Sequence, residues 1–116
     1  MKHHKKGRKF GRESGKRGAL IRSLARALIN KGKIKTTLAK AKELRPFAEK
    51  LISASKKSDL ATRRKVIAKL GSVEASRKMI SEIGPKYQDR KGGYTRVTKV
   101  SRRLSDGSKM AVIEFV

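Results

Sequence analysis

Residues 1 to 18 hold eight Lys or Arg, two His, four Gly and one acid, with almost nothing apolar among them. A stretch of this kind cannot build a core. Each ordered residue costs about 1 to 2 kcal/mol of backbone entropy, and so little apolar surface does not offset that cost. The stretch therefore reads as an extended arm that takes shape only against a partner supplying negative charge. Its glycines let the backbone approach an irregular anionic surface closely. The alternative is a frayed, solvated terminus, the common fate of chain ends.

Residues 19 to 116 must then carry the whole core, and that length suits one compact domain. Thirty-three basic residues against nine acidic ones leave a net charge of +24, which opposes compaction by self-repulsion and calls for a polyanion. The charge is unevenly placed. Residues 1–18 carry +7, residues 19–71 carry +12, residues 72–89 carry none and residues 90–116 carry +5. The neutral stretch is expected to face away from the polyanion or towards another protein. No apolar run approaches the roughly 18 residues that cross a bilayer, and the N-terminus lacks the apolar heart of a secretory signal. A transit peptide fits the basic, acid-poor arm, but amphipathic periodicity begins only after residue 18. Without cysteine there is no disulfide and no thiolate chemistry.

Leu20, Ile21, Leu24, Ala25 and Leu28 recur at helical spacing, predicting an amphipathic helix from about Lys16 to Lys31, with Ser14 as N-cap and Gly32 as its stop. Arg22 and Arg26 fall opposite the apolar stripe. The stripe reads as core, with a membrane-surface or partner-binding helix as the alternative. Lys33 to Thr37 is β-branched and predicts a strand. Thr37 then caps a second helix from Leu38 to about Lys56, in which Pro46 is expected to cause a kink or break near Leu44 and Arg45. Lys40 and Lys42 project from its buried seam, with Arg45 at the edge. Ser58 or Asp59 caps a third helix through Leu60, Val66, Ile67 and Leu70, which Gly71 ends. Ser72 caps a fourth whose Val73, Ser76, Ile80 and Ile83 share a face, and Gly84-Pro85 reads as its stop. The run Arg63-Arg64-Lys65 reads equally as a solvated face or an RNA contact. After a polar loop, Tyr94 to Val100 and Met110 to Val116 predict strands flanking a turn at Asp106-Gly107. An isolated hairpin is marginal, so the strand near Ile34 joins it and the helices cover one face. The expected fold is α+β, with about four helices on a small three-stranded mixed sheet and an extended arm over residues 1–18.

Catalytic chemistry has little to work with. His3 and His4 are adjacent in the arm with no downstream His or Cys to complete a metal site, the nine acids are scattered, and no glycine-rich nucleotide loop is present. No cofactor, metal, membrane or small-molecule substrate is expected. Phosphate binding remains. Arg grips phosphate with a planar fork and Lys supplies a mobile charge, a mixture suited to the irregular phosphates of folded RNA. The candidate contacts are Lys2, His3, Lys5, Lys6, Gly7, Arg8, Lys9, Arg12, Lys16 and Arg17 in the arm. Arg22, Arg26, Lys35, Lys40, Lys42 and Arg45 follow in the body, and Arg90, Lys91, Gly92, Gly93, Tyr94 and Arg96 around a double-glycine loop. Tyr94 either stacks on a base or packs into the core. Aromatic content of 4% argues against a strand-binding protein that stacks successive bases. An architectural DNA-binding protein is the rival reading on charge alone, without the apolar wedges such proteins use.

Gly7-Arg8-Lys9 followed by Arg12, the block Ile34-Lys35-Thr36-Thr37-Leu38-Ala39-Lys40-Ala41-Lys42-Glu43-Leu44-Arg45, and Gly92-Gly93-Tyr94-Thr95-Arg96 together resemble the bacterial-type large-subunit ribosomal proteins of family seventeen. The resemblance spans essentially the whole chain. It implies a structural protein of the ribosome, in the cytoplasm or an organelle, that binds large-subunit ribosomal RNA through an extended arm and a compact body. It further implies a place near the outer end of the exit tunnel beside other ribosomal proteins, with no cofactor or catalysis. The matching arm and loop positions are Lys2, His3, Gly7, Arg8, Lys9, Arg12, Arg17 and Arg90 to Arg96. The chain departs from the pattern at Lys16, where the family often carries His, and at Gly32-Lys33, where a less flexible, more acidic pair is common.

Overall fold

In the computed structural model, which describes residues 14–57 and 59–116, the chain enters as helix α1 (Ser14–Lys31). Ala25, Leu28 and Ile29 are buried, and Ile21 and Leu24 pack against the same cluster, as their three-and-four spacing dictates. The helix starts earlier than expected. Ser14 lies within it rather than capping it, and residues 14–18 are helical instead of extended. Adding a turn to an existing helix costs far less than nucleating one, so packing farther along pulls this segment in. The rest of the expected arm, residues 1–13, lies outside the described residues. Gly32, at φ 81°, closes α1 with a bond from its amide to the Leu28 carbonyl.

Strand β1 (Lys33–Thr37) leads directly into α2 (Leu38–Ser55), and the Thr37 hydroxyl accepts a bond from the Lys40 amide as an N-cap. Ala41, Leu44, Ala48, Leu51 and Ile52 form its buried seam. The break expected at Pro46 is absent, and the helix runs through it. Proline costs about 3 kcal/mol inside a helix, but Pro46 is exposed while each buried Leu or Ile of the seam contributes about 1.5 to 3 kcal/mol. The seam wins.

Asp59 caps α3 (Leu60–Leu70) by accepting from the Thr62 amide at 2.8 Å, and Gly71 ends it at φ 67°. Ser58, the other candidate cap, lies outside the described residues. Val66 and Leu70 are buried, whereas Leu60 is exposed. Ser72 caps α4 (Val73–Lys78) as expected. The Gly84-Pro85 stop does not operate there. The helix continues through a wider π turn (Met79–Ile83) into a last turn (Gly84–Lys86). The widened turn ends at Ile83, immediately before Gly84-Pro85, and because the proline ring would crowd the preceding turn of a regular α-helix, it gives the ring room. Val73, Ser76 and Ile80 share a face as expected, but Val73 is exposed on it, and Ala75, Ser76, Met79 and Ile83 are the buried positions.

Strands β2 (Thr95–Val100) and β3 (Met110–Phe115) pair with each other, and β1 adds to the far side of β3, giving the order β1-β3-β2. Both pairings are antiparallel, so the sheet is not mixed. The apolar β3 takes the centre, where it has a partner on each side. The row Ile34, Ile113 and Val97 faces the helices, while Lys35, Val112 and Thr98 lie on the other face. Helix α2 lies across all three strands.

Gly84 sits so close to α2 that an added Cβ would lie 2.5 Å from the Ser55 carbonyl oxygen. Replacing it by Ala gains about 1 kcal/mol of helix propensity but forces backbone apart, at about 1 to 3 kcal/mol. Gly84→Ala is therefore expected to lower the urea midpoint, whereas Gly15→Ala, with nothing within 4 Å, does not. The Thr62 amide, by its hydrogen bond, holds the Asp59 carboxyl below its ordinary value of 3.8. A depressed value stabilises the fold above the unfolded pKa and is lost as pH falls through the folded one. The Thr62 amide resonance should thus leave its capped position with a midpoint below pH 3.8.

Candidate nucleic-acid interface

Helix α2 and strand β2 meet along one side to form a notch of about 340 Å³ lined by Leu38, Lys42, Arg45, Val97 and Lys99. Three of those five side chains are cationic and none is acidic. The cations continue around the first turn of α2, where Arg102 and Lys109 line the adjoining hollow with Lys99. The Lys109 carbonyl accepts the Leu38 amide at 2.8 Å, which ties the end of the hairpin to the start of the helix. The positive end of the helix dipole adds to the potential there.

Glu49 fixes the geometry. One of its carboxylate oxygens accepts from both the Thr95 hydroxyl, at 2.8 Å, and the Thr95 amide, at 3.2 Å, joining α2 to the start of β2. The same oxygen stands 3.7 Å from Nε of Arg45. Arg45 is half exposed, and exposed pairs of this kind contribute at most about 1 kcal/mol, so a phosphate can compete for its guanidinium. Arg96 is held comparably, 3.5 Å from Glu114 across the sheet.

The double-glycine loop is pinned from below. Tyr94 is buried in the core against Tyr87, ring centroids 5.3 Å apart, so its ring is not presented for base stacking. Its hydroxyl donates to the Arg90 carbonyl at 3.1 Å and accepts from Ser53. The Lys56 ammonium lies over the ring and also donates to the Arg90 carbonyl. Lys56 first, and Ser53 after it, hold the phenol below its ordinary value. Gly93 takes φ 64°, a conformation that favours glycine, and Arg90, Lys91, Gly92 and Gly93 are exposed.

The other anticipated contacts are scattered. Lys2, His3, Lys5, Lys6, Gly7, Arg8, Lys9 and Arg12 lie outside the described residues. Lys16 is exposed and Arg17 and Arg22 are half-buried on α1. Arg26 is committed internally, donating to the Leu70 carbonyl at 2.5 Å and so satisfying the end of α3. Lys35 is exposed on the open face of the sheet, and Lys40 is half-buried. Lys99, Arg102 and Lys109 escaped the sequence reading. Only the antiparallel register and the bond from Leu38 to Lys109 bring them beside Lys42, and no local pattern signals that.

Among the described residues no cluster of His, Asp or Glu could hold a metal ion, and no helix is long and apolar enough to cross a membrane. Replacing Tyr94 by Phe keeps the ring in the core but removes the hydroxyl from the Arg90 carbonyl. The expected outcome is faster amide exchange at residues 91–93 with little change in global stability. Unchanged exchange would show that the hydroxyl does not hold the loop.

Residues 20–116 match the family described as ribosomal protein L17. Among curated proteins, the chain is 53% identical to the large ribosomal subunit protein bL17 of Methylacidiphilum infernorum, over 99% of this chain and 88% of the relative. It is 53% identical to that of Nautilia profundicola, over 100% and 98% of the two chains. Against that of Campylobacter jejuni it is 48% identical, over 100% and 99%.

Proposed function

The chain belongs to the ribosomal protein L17 family, and from that premise we infer that it is a structural constituent of the large ribosomal subunit that holds ribosomal RNA through its cationic surfaces. It works in the ribosome, in the cytoplasm, and is not an enzyme. Its surroundings there are ribosomal RNA and other ribosomal proteins.

The observation that carries the RNA-binding reading is the acid-free notch of Lys42, Arg45 and Lys99, extended by Arg102 and Lys109. Its cations replace counterions on RNA phosphates, and they are already gathered on a rigid frame, so little entropy is lost on contact. Arg90, Lys91, Gly92 and Gly93 form a second, flatter contact in which bare peptide groups approach the RNA backbone. Residues 1–13, rich in Lys and Arg, supply a third contact. Recognition rests on shape and charge, because the one aromatic residue of the loop is in the core. A position near the outer end of the exit tunnel rests on the family resemblance alone.

Each phosphate contact adds about 0.7 to 0.9 to the slope of log affinity against log salt. Replacing Lys42, Lys99 and Lys109 together by Gln should therefore lower that slope by about 2 to 3 for binding to large-subunit RNA, with the circular dichroism spectrum unchanged. An unaltered slope and affinity would remove the notch from the interface.

A further inference from the structure

The face of the molecule formed by α3, α4 and the π turn carries a cleft of about 410 Å³ lined by Arg63, Ile67, Val73, Ser76, Arg77, Ile80 and Ser81. Its character differs from that of the notch. Ile67, Val73 and Ile80 make it largely apolar, and Val73 is 56% exposed although it stands in an ordered helix. The two serine hydroxyls turn inward: Ser76 donates to the Ser72 carbonyl and Ser81 to the Arg77 carbonyl, each at 2.6 Å. Arg63 and Arg77 bring the only charges to the lining, and among the described residues neither guanidinium is paired with a carboxylate.

We propose that this cleft docks a segment of another protein in which one or two aliphatic or aromatic side chains stand beside a carboxylate. The apolar group fills the space over Ile67, Val73 and Ile80, and the carboxylate bridges Arg63 and Arg77 in the two-point manner that guanidinium favours. RNA fits this face less well. Its outer surface offers phosphate and sugar but little to cover three aliphatic side chains, and the cleft has no aromatic ring on which a base could stack. Residues 72–89, which supply most of the lining, carry no net charge in a chain of net charge +24. A polyanion gains least there, and a protein partner meets the least repulsion.

The proposal rests on the ribosomal reading for its setting, and one experiment separates the two. The full chain carrying p-benzoylphenylalanine at Val73 is expressed in cells, large ribosomal subunits are purified and irradiated, and the adducts are sequenced by mass spectrometry. The expected adduct joins position 73 to a defined peptide of another ribosomal protein, with Asp or Glu within a few residues of the linked position. Adding Arg63→Gln and Arg77→Gln should abolish it while the chain still enters the particle. An adduct to RNA, to a second copy of this chain or to a peptide without an acid overturns the docking site, as does absence of any adduct. Persistence of the adduct in the double Gln variant overturns it too. Failure of the unsubstituted chain to enter large subunits overturns the ribosomal reading, and the docking proposal with it.

Discussion

Everything in this molecule depends on the apolar seam between α2 and the sheet. Leu44, Ala48 and Ile52 belong to one buried cluster with Ala111 and Ile113, and α2 touches all three strands. A chain with net charge +24 is driven apart by its own field, and at about 25 cal/mol per Å² only burial on this scale can oppose that. The seam also shapes the notch. It places Lys42 and Arg45 one turn apart along the edge of the same helix beside β2, and so turns the element that holds the body together into the wall of the notch.

The fold reduces the cost of its charge by spending part of it internally. Arg26 reaches the Leu70 carbonyl at the end of α3, and Lys78 reaches the Asn30 carbonyl near the end of α1. Cations at helix C-termini meet the negative end of the dipole and satisfy carbonyls that would otherwise lack partners. Lys56 serves the Arg90 carbonyl in the same spirit and rests on the face of Tyr94. Of the cations left outside, one group lines the α2 and β2 notch and another the glycine loop, while the cleft bearing Val73 and Ile80 is largely apolar between Arg63 and Arg77. The proposed division of labour between an RNA-facing and a protein-facing surface rests on that distribution.

Much of this was legible in the sequence because it is local. Thr37, Asp59 and Ser72 announce helix starts, Gly32 and Gly71 announce ends, and β-branched runs give the three strands, since each signal needs only a few neighbouring residues. The misreadings share a different origin. Pro46 and Gly84-Pro85 look like breaks until the tertiary packing is known: a buried seam carries the helix past one, and a π turn with a close approach to Ser55 accommodates the other. Arg26 reads as a free surface cation until its partner, Leu70, is found forty-four residues away. Lys99, Arg102 and Lys109 join the notch only through strand register, which no periodicity reports. The family resemblance pointed to the arm, the α2 block and the glycine loop. It gave no indication that Tyr94 belongs to the core.

On the proposed reading a particular face, and not positive charge in general, meets the RNA. Acetylation of lysines in the free protein and in purified large subunits, compared residue by residue, tests it most directly. Lys42, Lys99 and Lys109, exposed in the free chain, should become strongly protected in the particle, whereas Lys86, exposed on the neutral stretch, should not be protected by RNA. Reactivity of the three notch lysines that is the same in the particle as in free solution would contradict the account.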